Sequence, residues 1–155
     1  MIQAEHICKQ YTNHNHTVYA VDDVSFTIAE HERVGIAGGS GSGKSTLLRL
    51  IAMLEKPTSG TLRLFGEDIW QIQNHTEIYR SLQMMFQNPL AIIPPRMNLE
   101  AFLLEPYINY GLMDMAEAKE DIRKWIQHVD LPGSIIQKYP HEVSGGQLQR
   151  VVLAR

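Results

Sequence analysis

The sequence predicts an α/β fold built around a phosphate-binding loop, on three adjoining observations. Residues 38–46 read Gly-Gly-Ser-Gly-Ser-Gly-Lys-Ser-Thr, and Gly38, Gly43, Lys44 and Ser45 satisfy G-x-x-x-x-G-K-[ST] without a mismatch. Residues 33–37 (Arg-Val-Gly-Ile-Ala) form a short apolar run, expected to be a buried strand entering the loop. Leu47, Leu50, Ile51 and Leu54 follow at helical spacing, so a helix is expected to leave it. Strand, glycine loop and helix together are the P-loop unit.

The residue types explain the chemistry. Glycines at 38, 39, 41 and 43 let the backbone turn tightly and bring its N–H groups close to an anion. The helix that follows aims its dipole and unpaired N–H groups at the same anion. Lys44 has the reach for β- and γ-phosphates, and the Ser45 hydroxyl suits Mg²⁺. Ser40, Gly41, Ser42 and Thr46 complete the cradle. A nucleoside triphosphate is the expected ligand.

Bulk composition fits that reading. A chain of 155 residues with 44% hydrophobic and 20% charged residues has the make-up of a globular domain. A net charge of −3 gives no reason to expect nucleic acid or an anionic membrane surface as a direct partner. The single cysteine, Cys8, excludes an internal disulfide framework and is expected in the first strand as a small hydrophobe. No apolar run reaches the ~18 residues that span a bilayer. The N-terminus lacks the basic and apolar regions of a signal peptide.

In chain order, residues 2–9 alternate in part and predict a strand, and residues 11–17 a polar turn. His14 and His16 in that turn have no third ligand nearby and are read as solvated rather than metal-binding. Residues 24–29 predict a second strand and 61–65 a third, with turns at 30–32, 55–60 and 66–68. Residues 68–79 are ambiguous, part helix. The short apolar run 82–86 predicts a buried strand with Met84 and Met85 as core filling. Pro89, Pro94 and Pro95 then mark an irregular connector. Beyond it the periodicity is helical. Asn98 is expected to cap a helix carrying Leu99, Phe102 and Leu103, disturbed near Pro106. Asp114 with Glu117 resembles a capping box ahead of Ile122, Trp125, Ile126 and Val129, all expected in the core, with Glu120 and Lys124 as an exposed pair. Residues 134–138 predict a short helical turn and 139–142 a loop.

A second anion site follows. Ser144 is a good N-cap, and Gly145 and Gly146 leave the first-turn N–H groups uncovered before Gln147 and the helix beyond. One chain cannot readily aim this site and the P-loop at one nucleotide, whereas two chains packed head to tail can.

With these motifs in order, the chain resembles the ATP-binding subunits of ABC transporters along its whole length. Residues 38–46 match the Walker A motif, Gln87 looks like the Q-loop glutamine, and Val143-Ser144-Gly145-Gly146-Gln147 looks like the family signature. Met85-Phe86-Gln87-Asn88-Pro89, Pro95-Arg96-Met97, Glu105-Pro106 and Tyr139-Pro140-His141-Glu142 resemble the oligopeptide, dipeptide and nickel importer group. Val143, Asn88, Leu148 and Ile92-Ile93-Pro94 depart from its usual pattern, which leaves substrate and subgroup open.

The resemblance implies a RecA-like P-loop NTPase core with an ABC β-subdomain and an inserted helical subdomain. The expected division is a nucleotide-binding part over 1–87, a helical subdomain with the Q-loop connector over 88–143, and the signature with the start of its helix over 144–155. Tyr11 would stack on adenine, with Tyr19 as the weaker candidate. Lys44 and Gln87 would serve catalysis, Ser45 and Gln87 would hold Mg²⁺, and Ser144, Gly145, Gly146 and Gln147 would contact a nucleotide bound to the opposite subunit. ATP and Mg are the implied cofactors. Two permease subunits, a second ATPase subunit and, indirectly, an external substrate-binding protein are the implied partners, at the inner face of the cell membrane. A Walker B strand with its aspartate and glutamate and a switch histidine are not found before Arg155, so C-terminal strands are expected to be absent and the 155 residues alone to be inactive and prone to association. A non-transport ABC ATPase and a binding module without hydrolysis are the alternatives.

Overall fold

The computed structural model describes residues 1–13 and 16–155, which form two compact units, Met1–Gln83 and Met84–Arg155. His14 lies outside the described residues.

The first unit is an antiparallel sheet with one helix packed on it. Strands β1 (Ile2–Asn13), β2 (His16–Ile28), β3 (Ser59–Leu64) and β4 (Glu67–Asp68) stand in the order β2-β1-β3-β4. The expected polar turn at 11–17 is therefore mostly strand: β1 runs to Asn13, and β2 resumes at His16. The alternation of β1 breaks at Glu5 and His6, both exposed, between buried Ala4 and Ile7. The register against β2 and β3 shifts there, and His6 adopts φ 52°: a β-bulge returns Ile7 to the core face. Gly60 on β3 is needed opposite this bulge, because a Cβ on it would stand 2.3 Å from the His6 carbonyl oxygen.

Helix α1 (Lys44–Ile51) follows the P-loop and buries Leu50 and Ile51. They join Ala4, Ile7, Val21, Met53, Leu62, Leu64, Ile69 and Ile78 in the first core. The helix ends at Ile51, three residues before the Leu54 that its spacing includes. Met53 turns left-handed (φ 59°), its N–H donates to the Leu50 carbonyl (3.1 Å), and the Leu54 N–H donates to that of Arg49 (2.9 Å), a Schellman closure that leaves Leu54 exposed. A short helix α2 (Thr76–Ser81) completes the unit.

Two expected strands do not form. Residues 32–39 are irregular, with Val34 and Ile36 exposed, and residues 82–86 form neither helix nor strand, with Met85 exposed. Among the described residues every ladder belongs to the antiparallel sheet, and none runs beside either segment. An apolar run becomes a buried strand only where neighbours complete its hydrogen bonds.

The second unit is helical: α3 (Leu99–Tyr110), α4 (Met115–His128) and α5 (Gly145–Leu153), with 3-10 turns at Pro89–Ala91, Gly133–Gln137 and Pro140–Glu142. Asn98 caps α3 through the Ala101 N–H (2.9 Å), and α3 continues unbroken across Pro106. Asp114 accepts from the Ala116 and Glu117 N–H groups at the start of α4 (2.8 and 2.9 Å). α4 closes as α1 does: Asp130 is left-handed, and Leu131 donates to the Ile126 carbonyl while both side chains are buried. Leu99, Phe102, Leu103, Ile122, Ile126, Ile135, Leu148 and Val151 form the second core.

Trp125 is not in that core. It is half exposed (49%) on the flank of α4, where its indole N–H donates to Asp121 (3.2 Å) and its ring meets His128. Ile122 and Ile126 fill the buried stripe, and the polar indole edge finds its partner at the rim. Glu120 pairs with Arg123 (3.5 Å) rather than with Lys124.

Candidate functional site

The P-loop lies between irregular residues 32–39 and α1, so its shape is set by its own glycines and by the sheet beneath it. Gly43 is the N-cap of α1 at φ 86°, with no side-chain cap. A Cβ on Gly43 would stand 2.0 Å from the Ala20 carbonyl oxygen of β2, so only glycine lets the loop rest on the strand. The uncapped start of α1 leaves its first N–H groups directed at the loop's interior, which is the arrangement that receives a phosphate.

Lys44 folds back over the loop. Its ammonium donates to the carbonyl oxygens of Gly38 (2.9 Å) and Gly39 (2.6 Å) and to Ser42 Oγ (3.2 Å). These contacts hold the charge over the cradle formed by residues 38–43. Ser45 is exposed and Thr46 half-buried on the first turn of α1. Beside the loop an open groove of about 440 Å³ is lined by Tyr19, Val21, Asp22, Ile36, Gly41 and Lys44, among others. The donor set fits a Mg-bound polyphosphate: backbone N–H groups, one ammonium and one hydroxyl. Among the described residues no cluster of three or more His, Cys, Asp or Glu could hold a metal ion by itself, so Mg²⁺ here would rely on the phosphates and on Ser45.

The tyrosines divide between two faces. The register pairs Tyr11 with Val18 and Tyr19 with Gln10, which places the two rings on opposite faces of the hairpin. Tyr19 lines the groove, and Tyr11 donates its hydroxyl to Glu55. That hydrogen bond, with desolvation and the Glu55 charge, raises the Tyr11 phenol above its ordinary pKa, while Thr46 and Arg49 act against the shift. Glu55 is a residue that sequence reasoning passed over. It reads in the sequence only as the first residue of the 55–60 turn, and its partner is 44 residues away.

In the second unit, Gln87 is exposed just before the Pro89–Ala91 turn. Ser144 and Gln147 form a complete capping box: Ser144 Oγ accepts from the Gln147 N–H (3.3 Å), and Gln147 Oε1 accepts from the Ser144 N–H (2.9 Å). Gly145 and Gly146 are exposed, with open space around both. Leu148 and Val151 bury the inner face of α5, and Arg150 donates to the carbonyls of Val129 (3.3 Å) and Asp130 (3.0 Å), tying α5 to the end of α4. Arg150 too went unnoticed in the sequence, for the same long-range reason. No described helix is long and apolar enough to cross a membrane.

A Gly-rich loop resting on a strand, an uncapped helix start and an ammonium closed over the cradle define a P-loop nucleotide-binding protein. The sequence profile described as ABC transporter matches residues 21–155, and the chain belongs to that family. The oligopeptide transport ATP-binding protein AppF of Bacillus subtilis is 39% identical over 141 residues, covering 89% of this chain and 43% of the relative. A putative peptide import ATP-binding protein of Brucella ovis is 37% identical over 157 residues, covering 100% of this chain and 50% of the relative. The chain thus spans about half the length of the curated relatives it matches. The ATP-binding cassette MJ0796, solved as a dimer in a post-hydrolysis state bound to ADP and Pi, superposes with a TM-score of 0.86 at 29% identity, covering 99% of this chain and 68% of that one. The fold is that of an ABC ATPase cassette, in agreement with the expected class.

Proposed function

We propose that the chain forms the MgATP-binding part of an ABC importer ATPase that energises uptake of oligopeptides or dipeptides, with nickel or a metal chelate as the other substrate the sequence leaves open. The observation that carries the reading is the P-loop geometry: Lys44 closed over the cradle, with the uncapped start of α1 behind it. The printed functions of the AppF and Brucella relatives support the peptide class.

In this reading Gly38, Ser40, Gly41, Ser42, Gly43, Lys44 and Thr46 hold the phosphates, and Ser45 and Gln87 bind Mg²⁺. Gln87 also reports the nucleotide state to the transport subunits, and Tyr11 stacks on adenine. Ser144, Gly145, Gly146 and Gln147 close over the nucleotide of a second ATPase subunit, so that 1–87, 88–143 and 144–155 act as nucleotide core, permease-facing helical subdomain and signature. The partners are two permeases, with an external binding protein delivering substrate, and the location is the inner face of the membrane. These 155 residues alone are expected to show at most weak nucleotide binding and negligible turnover.

Lys44→Ala tests the assignment. In the intact subunit it is expected to abolish ATPase activity and uptake, and rates equal to wild type would sink the P-loop reading. Uptake of labelled dipeptide against labelled nickel divides the two substrate classes.

A further inference from the structure

On the face of the hairpin carrying Tyr11, one carboxylate gathers several partners. Glu55 accepts the Tyr11 hydroxyl, and its oxygens lie 3.7 Å from the Lys9 ammonium and 3.6 Å from the Arg49 guanidinium. The Lys9 ammonium also stands 5.2 Å from the centre of the Tyr11 ring. The place of Glu55 is set from two directions. Its own N–H reaches back to the Arg49 carbonyl (3.4 Å), at the closure of α1. The next residues are stitched to β1: Lys9 Nζ donates to the Lys56 carbonyl (2.8 Å), the Thr58 N–H to that of Cys8 (2.8 Å), and the Gln10 N–H to Thr58 Oγ1 (3.0 Å). Glu55 is therefore fixed to the P-loop helix on one side and to β1 on the other.

Tyr11 has no comparable support of its own. It is 42% exposed near the end of β1, where a free phenol would sample several rotamers. The hydrogen bond to Glu55 removes that freedom and holds the phenol near Thr46 on the first turn of α1, close enough for Thr46 and Arg49 to oppose the rise in its pKa. We propose that Glu55 is a positioning residue for nucleotide recognition: it pins Tyr11 to the P-loop helix, so that the ring is already in place when the base of a phosphate-bound nucleotide arrives. The proposal rests on the reading of Tyr11 as the base-stacking residue. Glu55 touches no nucleotide and acts through the tyrosine, by sparing it the ordering cost of binding.

The test separates base from phosphate. Dissociation constants are measured on the intact protein with Mg²⁺ for ATP and for inorganic tripolyphosphate, which lacks the base. Tyr11→Ala is expected to weaken ATP by about 5- to 100-fold, as loss of a stacked ring does. Glu55→Ala is expected to weaken ATP by roughly 3- to 10-fold, the worth of one positioning hydrogen bond, and to leave tripolyphosphate unchanged. Glu55→Gln, which keeps an acceptor for the phenol, restores most of the ATP affinity and guards against a folding defect. On the Tyr11→Ala background Glu55→Ala has no further effect. The proposal fails if Glu55→Ala weakens ATP and tripolyphosphate alike, if its effect adds in full to that of Tyr11→Ala, or if ATP binding is untouched while Tyr11→Ala impairs it. If Tyr11→Ala itself leaves ATP binding unchanged, the stacking assignment is wrong and the proposal goes with it.

Discussion

Gly43 approaches Ala20 so closely that a Cβ on the glycine would stand 2.0 Å from the alanine carbonyl oxygen. Backbone meets backbone there, so no side-chain rotation can relieve the clash, and φ 86° adds its own strain. Gly43→Ala is expected to cost about 3 kcal/mol or more in urea unfolding and to abolish ATP binding. Gly39→Ala is the control: nothing lies within 4 Å of its added Cβ, and it is expected to stay within about 0.5 kcal/mol of wild type in stability.

Ser144 has a structural task and a proposed ligand task, which two substitutions separate. Ser144→Ala removes the acceptor for the Gln147 N–H and is expected to cost about 1 kcal/mol in unfolding. Ser144→Asp keeps a capping oxygen and is expected to recover that stability. Its negative charge at the proposed phosphate contact should still weaken ATP-dependent pairing of the intact subunits, followed by size-exclusion or light scattering. Equal pairing by Ser144→Asp and wild type would argue against the phosphate role.

The Tyr107 phenol donates to Asp121 across 2.6 Å, and the Trp125 indole donates to the same carboxylate, clasping α3 to α4. Desolvation, then the hydrogen bond and charge of Asp121, push the Tyr107 pKa well above its ordinary 10.0. The folded state therefore keeps a proton that the unfolded chain releases near pH 10, so this contribution is intact below about pH 10 and declines as pH rises toward the raised folded value. Tyr107→Phe is expected to cost about 1 kcal/mol at neutral pH and to flatten the decline of stability above pH 10, measured by urea unfolding across pH. An unchanged alkaline slope would remove Tyr107 as its source.

What was legible in advance rests on short-range bonds. Asn98, Asp114 and Ser144 each satisfy N–H groups two or three residues ahead, so a few letters of sequence suffice to place the starts of α3, α4 and α5. The glycine-lysine loop was equally plain, since its conformation is demanded by its own residue types and by the helix it opens. Where partners are distant, the sequence misled or was silent. Runs 33–37 and 82–86 look like strands, but a strand is a relation with neighbours, and none pairs with them among the described residues. Trp125 carries the helical spacing of a core residue, yet it lies on the flank of the stripe because Asp121 offers its N–H a partner there.

By itself, then, the sequence determined the loop motif at residues 38–46, the capped starts of the three long helices, and the family. Only the tertiary structure decided which face each tyrosine takes, that a bulge at His6 requires Gly60 across from it, and that Glu55 accepts the Tyr11 hydroxyl. The division has one physical cause. Capping and loop geometry depend on atoms a few residues apart, whereas sheet register and the convergence of Lys9, Tyr11, Arg49 and Glu55 arise only once strand and helix have packed on a common core.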